Sequence, residues 1–294
     1  MLGILASMML DPIAVPSALL DLRHRVDETL DAFLRDVRTE IAVTAADALL
    51  PVDEVIRVVT AGGKRLRPAF CYWGFRAAGG PDGKPILRAA AALELLHTMA
   101  LIHDDLMDDT DERRGVPASH VRLAAEARRL GATDPERVGR SLAILTGDLA
   151  AVLADRLLLR TGFEADVLVR ALDRYHRMRT DMASGQCLDV VGGTADPAVV
   201  AELKGGTYTV VGPLQIGAAL AGGDATAMTI LEAYGAPLGL AFQLLDDQRD
   251  GDAELPPGRI AELVERSRAA LVGRGIDRDA RDALLVMADL VERG

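Results

Sequence analysis

Apolar residues recur at three- and four-residue intervals along most of the chain. From about 18 to 47 they fall at Leu19, Leu22, Val26, Leu30, Phe33, Leu34, Val37 and Ile41, which predicts one face of an amphipathic helix. Pro51 opens a second helical segment that runs to Thr60, and Gly62-Gly63 breaks it. Further helices are expected from Pro68 to Ala78, from Ile86 to Asp108, and from a cap at Ser141 to Arg160. The pattern continues from Asp166 to Ser184, then over about 198 to 220 and 224 to 249. The last helices run from Arg259 to Gly273 and from Asp277 to Arg293. No alternating strand runs bounded by hairpin turns occur. The pattern predicts an all-α, single-domain helical bundle over residues 1–294 with a large core.

Two places break the apolar pattern with clustered charge. Asp104-Asp105-Leu106-Met107-Asp108 follows Leu101-Ile102, with Asp109 and Asp111 close behind. Asp246-Asp247-Gln248-Arg249-Asp250 follows Phe242 and Leu244-Leu245. Residues four apart on a helix are offset by about 40° around its axis, so Asp104 and Asp108 share a face, as do Asp246 and Asp250. Both clusters fall near the C-terminal end of a predicted helix, where the macrodipole disfavours carboxylates. Clustered carboxylates behind apolar runs are costly to fold unless a cation neutralises them. Mg²⁺ is the expected cation, and substrate phosphates usually complete its shell. The pattern therefore points to phosphate or diphosphate chemistry, with the two clusters on opposite walls of one cavity.

The cations fit that reading. Gly62-Gly63-Lys64-Arg65-Leu66-Arg67-Pro68 sets three of them in a tight Gly-to-Pro segment, and Arg can grip a diphosphate with a bidentate fork. Arg113 and Arg114 follow the first cluster. His97 lies seven residues before Asp104, on nearly the same face, and Gln243 one turn before Asp247.

Half the chain is hydrophobic and only 3% is aromatic, a composition that favours helices over sheets. With 33 basic and 44 acidic residues the net charge is -11, which argues against a nucleic-acid partner. Cys71 and Cys187 sit in apolar, helix-like contexts without CxxC spacing, and read as two buried thiols of a cytoplasmic protein. Met1 to Leu10 is apolar but lacks a basic n-region and is stopped by Asp11-Pro12. It reads as a lead-in or docking segment, and no transmembrane segment is expected.

GGKRLRP, ELLHTMALIHDDLMDDTDERRG and FQLLDD, with Gly185-Gln186 and KGGTYTVVGPLQIGAALAG in order between them, resemble the trans-isoprenyl diphosphate synthases, or polyprenyl synthases. The likeness runs from about Val55 to Asp250. It implies an all-helical isoprenoid synthase fold, a homodimer, and condensation of isopentenyl diphosphate with an allylic diphosphate. It implies about three Mg²⁺ per site, with Asp104, Asp108 and Asp246 as best ligands and Asp105, Asp247 and Asp250 in support. Arg113, Lys204 and Gln243 would face the allylic substrate, with Tyr208 near Lys204 in its expected place. Lys64, Arg67, His97 and Arg114 would hold the isopentenyl diphosphate. The pocket floor would be Ala100, Met99 and Leu96, which leaves room for a C20 product, with C15 next.

Two departures stand out. The family commonly has threonine after the lysine equivalent to Lys204, and here Gly205 follows. The family also has a lysine-bearing loop after the second cluster, whereas this chain has no lysine after Lys204. Arg249, Arg259 or Arg266 would have to compensate. The alternative is a non-catalytic regulatory subunit of a heteromeric synthase. A class I terpene cyclase would carry an Asn/Ser/Glu motif in place of the second DDxxD, and a plain structural bundle would leave both clusters unexplained.

Overall fold

Among the described residues of the computed structural model, eleven α-helices account for nearly all regular structure. It describes residues 17–113, 115–192, 196, 199–200, 202–250, 255–272 and 275–292, without the side chains of Lys204, Asp247, Arg249 and Asp250. The chain divides into two compact units. One comprises Met1–Arg65 and Ala91–Arg160, the other Leu66–Ala90 and Thr161–Gly294. The all-α expectation holds, and the exception is small. Glu112–Arg113 pairs antiparallel with Val116–Pro117 around Gly115, whose φ of +79° suits glycine.

In the first unit, α1 (Ser17–Ala42) buries Leu22, Val26, Leu30, Leu34 and Val37, the apolar face read from its period. It ends sooner than the pattern suggested, because Ala45 is extended at φ -168° and a short 3₁₀ turn, Ala46–Leu49, follows. Helix α2 (Leu50–Thr60) carries Pro51 in its first turn, where a missing N–H costs nothing. Helix α5 (Ser119–Arg129) was not expected, although Leu123, Ala124 and Ala127 carry its buried spacing. Helix α6 (Pro135–Leu159) starts six residues before Ser141. Asp134 is its cap, accepting from Arg137 N at 3.1 Å, while Ser141 donates inside the helix to Arg137 O at 2.9 Å.

The second unit holds α3 (Leu66–Ala77), α7 (Ala165–Val191), a π-helical segment (Glu202–Val211), α8 (Gly212–Leu220), α9 (Ala225–Asp250), α10 (Arg259–Ala270) and α11 (Arg278–Glu292). Helix α4 (Lys84–Met107) begins within the second unit's residues and ends within the first's. The helix expected over 198–220 divides at Gly212-Pro213. Pro213 has no N–H to give the preceding turn, and its ring crowds a carbonyl four residues back. Helices α3 and α8 meet backbone to backbone. A Cβ on Gly74 would stand 2.8 Å from Leu214 Cα, and one on Gly217 2.7 Å from Phe75 N. The terminal helices back α9 and α3. Tyr234 donates to Leu284 O at 2.7 Å, and Asp277 N to Ala77 O at 3.4 Å.

The thiols do not match each other as expected. Cys71 is buried, and burial pushes its thiol up to about 12. Cys187 is exposed. Helix α7 buries Ala171, Tyr175, Met178 and Gly185, and position 187 lies off that stripe. Among the described residues two helices are long and apolar enough to cross a membrane by length and composition, Lys84–Met107 and Ala225–Asp246. In the first, 72% of the apolar window is buried inside the protein, as in a core helix.

Candidate active site

The first aspartate cluster caps α4. Asp108 N donates to Asp104 O at 2.9 Å, so the two residues do lie one helical turn apart. Asp109 then turns left-handed at φ +48°, and Thr110 N donates to Asp105 O at 2.9 Å. This is the six-to-one bond of a Schellman-type helix end. Asp104 is half-buried and Asp108 exposed. Asp105 is 4% exposed and accepts from Arg113 Nε at 2.7 Å. Two residues expected on a ligand therefore hold each other here. Arg114 lies outside the described residues.

The hairpin carrying Arg113 is tied to a buried carboxylate. Glu54 is fully buried and receives Arg57, Arg122 and Ser119. Burial alone would raise its pKa, but these donors outweigh it and hold the carboxyl below its usual range. Arg57 also donates to Pro117 O at 3.5 Å, on the return strand.

The three cations of GGKRLRP have three fates. Arg65, 6% exposed and left-handed at φ +52°, donates to Asp27 at 2.7 Å, Glu94 at 2.6 Å and Val59 O at 2.7 Å. It is an internal strut. Lys64 is exposed. Arg67, in the second unit, donates to Thr209 Oγ1 at 2.8 Å and lies 4.5 Å over the Tyr208 ring. Its Nε is buried without a partner, as is Gln186 Nε2 on α7. A donor held in place but not satisfied suits an anionic ligand. Thr209 was not among the expected site residues, and no local signal marks it.

The π-helical segment brings Tyr208 and Thr209 to Arg67 and lays Gly205 against Gln243 of α9. Lys204 belongs to this segment, with its side chain outside the description. π-helical turns are rare and concentrate at functional sites. Asp246 is half-buried on α9, three residues after Gln243, and Asp247 and Asp250 complete that helix. His97 is half-buried on α4, as are Met99 and Ala100, and Leu96 is fully buried. Of the arginines named as compensating for the family's lysine loop, Arg259 pairs with Glu262 at 2.8 Å.

Among the described residues no three His, Cys, Asp or Glu side chains converge to enclose a metal. Mg²⁺ is commonly held by one or two carboxylates, with waters and phosphate oxygens supplying the rest. The hard oxygen donors of Asp104, Asp105 and Asp108 in the first unit suit that kind of ligation, and so, taken by itself, does Asp246 in the second.

The polyprenyl synthetase family model matches residues 51–254. A short chain isoprenyl diphosphate synthase of Methanothermobacter thermautotrophicus is 31% identical over 269 residues, 88% of this chain and 75% of the relative. A geranylgeranyl diphosphate synthase of Methanosarcina mazei is 34% identical over 252 residues, 81% of this chain and 73% of the relative. The crystal structure of geranylgeranyl pyrophosphate synthase from Corynebacterium glutamicum, complexed with isoprenyl diphosphate and magnesium, matches with a TM-score of 0.85 at 28% identity. The match covers 93% of this chain and 99% of that one.

Proposed function

Because the chain belongs to the polyprenyl synthetase family and is a short-chain trans-prenyltransferase, we propose that it condenses isopentenyl diphosphate with allylic diphosphates of C5 to C15. The product is geranylgeranyl diphosphate (C20), with farnesyl diphosphate (C15) next. The observation that carries the reading is Arg67, whose guanidinium is fixed by Thr209 and Tyr208 and keeps a buried Nε uncommitted. Lys64, Arg67, His97 and Arg114 hold the isopentenyl diphosphate. Arg113, Lys204, Tyr208 and Gln243 serve the allylic substrate. Asp104, Asp105, Asp108, Asp246, Asp247 and Asp250 hold about three Mg²⁺, which supply electrostatic stabilisation of the departing diphosphate. Arg113 is released from Asp105 in the loaded site and turns its donors to substrate.

The allylic C–O bond breaks as diphosphate leaves. The double bond of isopentenyl diphosphate forms the new C–C bond, and a proton lost to the released diphosphate restores an alkene. The cations accept developing negative charge on phosphate oxygens, which is where preorganised donors lower a barrier. Leu96, Met99 and Ala100 offer no aromatic stop to a growing chain, and the Methanosarcina relative is named for the C20 product.

The whole chain acts as one synthase domain, since the family match takes in residues of both units. A homodimer is supported by α6, where Leu145, Val152 and Leu159 stand more than half exposed at seven-residue intervals. A cytoplasmic setting is supported by two free cysteines. No observation favours the non-catalytic subunit. The test is incubation of the folded chain with Mg²⁺, isopentenyl diphosphate and each of the C5, C10 and C15 allylic diphosphates, with products identified by mass spectrometry. Elongation ending at C20 is expected. No elongation from any primer would sink the proposal.

A further inference from the structure

Glycine weakens a helix interior, because the unfolded chain loses more freedom there than alanine would. Gly205 lies inside the π-helical segment without a positive φ, so its backbone gives no reason for glycine. Its neighbourhood does. A Cβ at 205 would overlap the Gln243 side-chain amide oxygen and stand 2.7 Å from Gln243 Cδ. The next glycine answers a different need. A Cβ on Gly239 would stand 2.6 Å from the Gly206 carbonyl oxygen, so Gly206 and Gly239 let the π-helical segment and α9 touch backbone to backbone.

We propose that Gly205 is a positioning residue: it leaves the seat in which the Gln243 amide lies and so fixes where that amide meets the allylic substrate. The amide occupies the volume that the Cβ of any other residue would take at 205. The departure from the family pattern at this position is therefore matched by the placement of Gln243. The role of Gln243 toward substrate rests on the proposed function, while the seat itself rests on packing.

The test is a cycle of Gly205→Ala, Gln243→Ala and the double variant, with Gly205→Thr alongside. Each is measured for kcat and KM with geranyl diphosphate, for binding of geranyl diphosphate with Mg²⁺, and for melting. Gly205→Ala and Gly205→Thr should each lower kcat/KM by about ten- to a hundred-fold, the scale of a misplaced positioning group. Melting of Gly205→Ala should change little, since the overlapped atom ends a flexible side chain and alanine favours helix. The double variant should lose no more activity than Gln243→Ala alone, because contacting residues couple. Should Gly205→Ala fail to fold, the double variant should recover folding. Wild-type kinetics in Gly205→Ala, or losses in the double variant that multiply, would overturn the inference. A wild-type chain that elongates no primer overturns the proposed function instead. The seat is then decided by the binding and melting cycles, in which additive effects refute it.

Discussion

In the unit that carries Asp104, Asp105 and Asp108, buried charges are each met by opposite ones. Arg65 is locked between Asp27 and Glu94, Glu54 takes two arginines, and Arg113 closes on Asp105. In the unit that carries Asp246, glycines let main chains touch: Gly206 on Gly239, Gly217 on Cys71, Gly74 on Leu214. The first unit has a close glycine of its own, Gly139 of α6 against α5, but it joins scaffold helices. The two ways of holding site residues fail differently. A buried ion pair is lost when one partner is removed or neutralised, leaving the other charge stranded. A backbone contact ignores charge and is lost when volume is added.

The largest effect should ignore this difference. Asp104→Ala and Asp246→Ala are each expected to lower kcat/KM by about two to four orders of magnitude, as loss of a charge-stabilising group does, with melting nearly unchanged. Unequal losses would show that the two clusters do not serve one reaction equally. Next is Arg65→Met, which strands a buried Glu94. A stability loss of about 3–5 kcal/mol is expected by denaturant titration. A neutral outcome would mean the strut is dispensable. Gly239→Ala should cost about 1–3 kcal/mol by overpacking the Gly206 contact, a cost that should not vary with pH.

The smallest effect is pH dependence, which should separate the units by sign. The Glu54 carboxyl is lowered in the fold, so its stabilising contribution is full above the usual value near 4.5 and is lost as pH falls through the folded value. The Tyr234 phenol is raised by burial and by Asp289 above the usual value near 10, so its contribution holds below that value and is lost as pH rises. Exchange-protected amides around α2 should open first in acid, and those around α9 and α11 first in alkali. The reverse order would refute the assignment.

Much of the molecule could be read before folding was considered. Helix α1 repeats its apolar residues at the helical period, and five of them are buried. The paired DDxxD clusters and GGKRLRP carried the family. Other features were readable and passed over, such as Asp134-Pro135 as a cap and first turn. The rest had no local signal. That Arg65 turns inward while Arg67 meets Thr209, 142 residues away, depends on a left-handed residue and a long-range partner. The π-helical register over Glu202–Val211 arises where Pro213 stops an α-helix and glycines admit α9.

The sequence by itself determined the helical period, the paired carboxylate clusters and the run of cations in GGKRLRP, because each resides in neighbouring residues. Only the tertiary structure decided which cation became a strut, which thiol stayed at the surface and why glycine stands at 205. Those outcomes depend on what another segment places alongside, and volume, burial and charge at a point are properties of the packed chain.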